Sequence, residues 1–122
     1  MPLTSISDEL DRLRLATPDC RMTAFGDLRA RLVLTWSAEG PCPRETLDAI
    51  AAEAARAFAL SGLIDDSSET LAITFSESGT RFFARHDAGS DDVVCADCAP
   101  GLDIAPMTHA LHDSARRIAE AA

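Results

Sequence analysis

The chain has 122 residues, 47% of them apolar, which suffices for one core that removes about two-thirds of the unfolded surface from water and leaves no material for a second. Its 20 acids outweigh 11 bases, all of them arginine, for a net charge of -9, and a surface of that sign repels phosphate, which argues against nucleic acid and anionic membrane as partners. No apolar run approaches the ~20 residues that cross a bilayer, and Met1 to Asp11 lacks the basic start and apolar stretch of a secretory signal, so the expectation is a soluble cytoplasmic protein.

The first helix is expected from Ser5 or Ser7 to Ala16, because Ile6, Leu10 and Leu13 recur at helical spacing and Thr17-Pro18 ends the pattern. An extended run follows over Cys20 to Phe25. Gly26-Asp27 then suggests a turn, and from Arg31 to Ser37 the residues Leu32, Leu34 and Trp36 alternate with Val33, Thr35 and Ser37, so the segment reads as an antiparallel hairpin. A second helix starts near Cys42, with Pro43 at its first position and Glu45 in its first turn, and Ser61-Gly62 is the expected stop. Its core stripe is Leu47, Ile50, Ala51, Ala54 and Phe58.

Ile64 to Glu69, rich in Asp and Ser, reads as an acidic loop. Three strands should follow as a meander: Thr70 to Ser76, with Leu71, Ile73 and Phe75 on one face, then Arg81 to His86, then Asp92 to Ala96. A proline-marked loop, 99–106, leads into a last helix that buries Met107, Leu111, Ser114 and Ile118 and shows His109, His112, Asp113, Arg116, Arg117 and Glu120 to solvent. The predicted order is αββαβββα, an α/β domain (α+β) over 1–122.

That order, with the segments SDELDRL, CRMTAFGDLRARLVLTWS, ETLDAIAAEAARAFA and HALHDSARRIAEA, resembles the Roadblock/dynein light chain family across nearly the whole chain. The resemblance implies a five-stranded antiparallel sheet between one helix and two others. It also implies a homodimer without catalytic residues that binds or regulates a small Ras-like GTPase, or bridges subunits of a signalling complex. The implied dimer aligns the second helix with its mate and joins the third strands, which fall on Glu45 to Ala59 and Thr70 to Ser76. The absence of lysine, asparagine, glutamine and tyrosine beside abundant alanine and arginine suggests a GC-rich bacterial genome.

The residues point to surfaces independently. Ala52, Ala55 and Ala59 form a line of small side chains beside the core stripe, where a solvated flank usually carries charge, and they read as a dimer interface together with Leu71, Ile73 and Phe75. Glu45, Asp48 and Arg56 on the helix and Arg29 and Arg31 in the hairpin are the candidate partner-binding residues; an arginine reaching a GTPase site would stabilise transition-state charge. Glu39, Glu53, Asp65, Asp66 and Glu69 add to the acidic face.

The competing chemistry is a zinc or thiol module. Cys95-Ala96-Asp97-Cys98 has a metal-knuckle spacing, with Cys20 and Cys42 elsewhere and His109 and His112 on a helix, but a second knuckle is missing and a strand places neighbouring side chains on opposite faces. Redox activation wants the pair at a helix start, and Pro100-Gly101 follows instead. All four thiols are expected free, with Cys95 in the sheet and Cys98 in the loop. No nucleophile elbow, Gly-x-Gly-x-x-Gly or lysine-bearing phosphate loop occurs, so no catalytic residue, nucleotide site or cofactor is expected.

Overall fold

The computed structural model describes residues 3–64 and 70–121. Helix α1 (Leu3–Ala16) buries Ile6, Leu10 and Leu13. The chain reverses through Asp19, held at φ 70, with the Cys20 amide donating to the Thr17 carbonyl, and enters β1 (Cys20–Asp27). The turn into β2 (Leu32–Ala38) lies after Gly26-Asp27, not on it. Asp27 makes that turn, its carboxylate accepting the amides of Arg29 (2.8 Å) and Ala30 (3.0 Å), and Arg31 closes it at φ 55.

A bulge resets β2. Phe25 pairs with Thr35 but Gly26 with Val33, so Leu34 has no opposite residue and Val33 turns into the core. Leu32, Leu34 and Trp36 are left largely in solvent, at 39%, 42% and 40% exposed. Gly26 permits the irregular pairing, because a Cβ there would stand 2.8 Å from the Leu32 carbonyl oxygen.

Helix α2 (Arg44–Ile64) starts as the Pro43 carbonyl accepts the amides of Thr46 and Leu47. It runs through Ser61-Gly62 instead of stopping there, since one glycine costs a helix only about 1 kcal/mol. Ile64 is its last residue, and the rest of the expected acidic loop, 65–69, lies outside the described residues. Strands β3 (Leu71–Ser76), β4 (Gly79–Ala84) and β5 (Asp92–Cys98) form the meander, and α3 (Ile104–Glu120) closes the chain.

The five strands are antiparallel in the order β2-β1-β5-β4-β3. One face packs Met22, Ala24, Val33, Ala72, Phe83, Val93 and Cys95 against Leu47, Ile50, Ala51, Ala54 and Phe58 of α2. The other packs Phe25, Phe82, Ala84, Val94 and Ala96 against α1 and α3, with Met107, Leu111, Ala115 and Ile118 from the latter. Each large side chain so buried contributes about 1.5–3 kcal/mol before ordering costs.

Candidate protein-interaction surfaces

The two sheet edges differ. At β2 the bulged Leu34 interrupts the ladder and Arg44 Nη2 donates to the Val33 carbonyl at 2.7 Å, two devices that hinder a further strand from adding. At β3 the six residues pair in unbroken register with β4, from Leu71 opposite Ala84 to Ser76 opposite Gly79. Leu71 and Ile73 are half-buried on the α3 face, and Phe75, on that face at the far end, is 67% exposed. Gly79 lets the start of β4 lie close against the end of β5: a Cβ there would land on the Cys98 carbonyl and the Arg21 guanidinium.

Glu53 fixes how α2 is turned relative to that edge. The Thr74 hydroxyl of β3 donates to its carboxylate, and Arg81 of β4 approaches it at 2.5 Å. Arg81 Nε also lies 3.6 Å from Asp97, whose carboxylate meets Arg21 at 3.3 Å; Arg21 in turn donates to the carbonyls of Ser78 (2.9 Å) and Cys98 (3.0 Å). Sequence reading took Glu53 as one more solvated acid and missed this network, because nothing local marks a carboxylate whose partners lie on strands 21 and 28 residues away.

At about 100° per residue, the flank of Ala52, Ala55 and Ala59 points away from Glu53 and from β3. Ala55 and Ala59 instead line a groove of about 440 Å³ with Leu28, Arg29, Arg31, Phe58, Arg85 and Asp91. The Arg85 guanidinium stacks on the Phe58 ring at 4.4 Å. The structure therefore brings Ala55 and Ala59 together with Arg29 and Arg31, and does not bring them beside Leu71, Ile73 and Phe75. Glu45, Asp48 and Arg56 are exposed, Asp48 within 3.3 Å of Arg44.

The cysteines are dispersed by the sheet. Cys95 faces α2 and Cys98 faces α1 and α3, so the Cys-x-x-Cys cannot converge; Cys98 is the last residue of β5, buried, and not in the loop. Burial, with the Glu53 charge nearby, pushes the Cys95 thiol up to about 12, and burial also raises Cys42. His112 Nε2 donates to the Thr70 carbonyl at 3.1 Å, while His109 is exposed. Among the described residues no three His, Cys, Asp or Glu side chains gather as a metal site would require. A cavity of about 560 Å³ lies between the end of α1 and the start of α3. Two arginines that border it, Arg12 and Arg117, are already engaged by Glu9 at 2.6 and 2.8 Å.

No family model and no curated protein matches the sequence. Solved structures do match the fold. A Roadblock/LC7 domain from Streptomyces avermitilis superposes with a TM-score of 0.75 at 14% identity, covering 94% of this chain and 95% of that one. MglB from Myxococcus xanthus gives 0.74 at 14% identity with both chains fully covered. An MglB in a tetrameric arrangement gives 0.72 at 17%, covering 97% of this chain and 90% of the other. At such identities the likeness concerns architecture, and with the sheet order and helix layers described above it establishes that the chain has the Roadblock/LC7 fold.

Proposed function

We propose that this chain is a dimeric, non-catalytic protein-binding module that binds or regulates a small Ras-like GTPase or a related signalling protein. The observation that carries this reading is the asymmetry of the sheet: the β2 edge is bulged and capped, whereas β3 ends the sheet as a regular strand with Phe75 at its open margin. An apolar, unbroken edge invites pairing with another chain, and antiparallel pairing with the β3 of a second copy satisfies it. The tetrameric MglB, of like fold, supports self-association, and the resemblance to Roadblock proteins supports a GTPase as partner.

On this reading the Glu53 side of α2 lies next to the mate. The Ala55 and Ala59 groove with Arg29 and Arg31 faces away from that contact and is left for the partner. Recognition by such a surface needs no nucleophile or cofactor of the chain's own. The test uses a purified Ras-like GTPase of the source organism, loaded with GTP or GDP. Binding that depends on the nucleotide, or a changed hydrolysis rate, is the expected result. A protein that binds none of that organism's Ras-like GTPases in either state contradicts the GTPase reading.

A further inference from the structure

Cys20 and Cys98, 78 positions apart, stand directly opposite each other at the start of β1 and the end of β5. Their side chains share the α1/α3 face, and both are buried. The Ala99 amide donates to the Asp19 carbonyl at 2.9 Å, so the ladder bond falls on the neighbouring pair and the two cysteines occupy a non-hydrogen-bonded site. At such sites the Cα atoms stand about 4.5 Å apart and the side chains approach closely, within the ~4.4–6.8 Å range that a disulfide spans. The Cys20 thiol donates to the Met22 carbonyl at 3.6 Å.

We propose that Cys20 and Cys98, and not the Cys-x-x-Cys of β5, form a reversible disulfide when the protein meets hydrogen peroxide. The partners are chemically unequal. The neighbouring Cys98 thiol lowers the Cys20 thiol against the burial that would raise it, while the nearby Cys20, then burial, raises Cys98. Cys20 is therefore the first to react. Its thiolate attacks one peroxide oxygen; an S–O bond forms, the O–O bond breaks, and the departing hydroxide takes up the proton the thiol released. The Cys98 sulfur then attacks the Cys20 sulfur, the S–S bond forms, the S–O bond breaks, and water leaves with the Cys98 proton. Two thiols are oxidised to one disulfide and one peroxide is reduced to two waters. Access comes through the Thr17–Cys20 turn, whose Thr17, Pro18 and Asp19 border the large α1/α3 groove.

The test is peroxide treatment of the folded full chain, followed by thiol titration and peptide mapping by mass spectrometry. The expected result is a fall from four free thiols to two, with the link mapped to Cys20 and Cys98, reversed by dithiothreitol, and a Tm about 10 °C above that of the reduced protein. Cys95→Ser should still form the link, and Cys20→Ser and Cys98→Ser should not. A link mapped to Cys95 or Cys42 overturns the proposal. So do four thiols persisting in the folded wild-type protein under treatment that oxidises the urea-unfolded chain.

Discussion

Glu9 shows how a residue unremarkable in sequence becomes structural. Burial alone would raise its carboxyl, but hydrogen bonds from Arg12 and Arg117 outweigh that and hold it at about 2, below the ordinary 4.5. The depressed value means that the stability it lends is complete above the unfolded pKa and is lost as pH falls from 4.5 toward 2. The full shift corresponds to about 3 kcal/mol; solvent around the half-exposed arginines reduces this to about 1–2. Urea melts at neutral pH should show Glu9→Gln less stable by that amount, and the difference should shrink as the pH is lowered through this window. The core is less subtle: Phe82→Ala, at a fully buried ring, should cost about 3–5 kcal/mol in the same assay. Buried apolar positions such as Leu10, Leu47 and Leu111 were legible from periodicity alone, whereas the Glu9 clasp joins α1 to α3 across 108 residues and leaves no local trace.

Among the elements, type and order could be read from the chain because each carries its own period: about 3.6 in the helices and 2 in the strands. Boundaries set by pairing could not. Gly26 looks like a turn residue, yet it sits inside β1 where the bulge brings the Leu32 carbonyl close. Gly26→Ala should cost about 1–3 kcal/mol by thermal or urea unfolding, with the hairpin shifting to admit the methyl group. The alternation of Leu32, Leu34 and Trp36 with Val33, Thr35 and Ser37 marked a strand but not which of its residues are buried, and beside the bulge it is Val33 that enters the core. For α2 the sequence revealed an uncharged flank but not its direction, which depends on Glu53 meeting β3 and β4. The groove that the flank shares with Arg29 and Arg31 gives a separate expectation: the double change Arg29→Glu and Arg31→Glu should weaken partner binding by about tenfold or more and leave self-association intact, as read by calorimetry and light scattering.

At the scale of the whole molecule, the fold places two faces of the sheet under helices and leaves two edges with opposite treatment. One edge is protected by a bulge and by Arg44, and the other is regular and greasy at its end. The element order could be read from the chain itself, and the layering of the sheet between one helix and two others is what the resemblance to the Roadblock/dynein light chain family implied; the observed architecture has both. The use of the open edge is the claim on which the functional account stands. Light scattering on the purified protein tests it most directly, comparing wild type with Phe75→Glu combined with Ile73→Lys, changes that charge the margin of β3, and with circular dichroism to confirm that the variant remains folded. The account predicts a wild-type mass of twice the 13.0 kDa chain or a multiple of that, and a folded variant at the monomer mass. A wild-type protein that stays monomeric at micromolar concentrations, or a folded variant that self-associates as before, would contradict it.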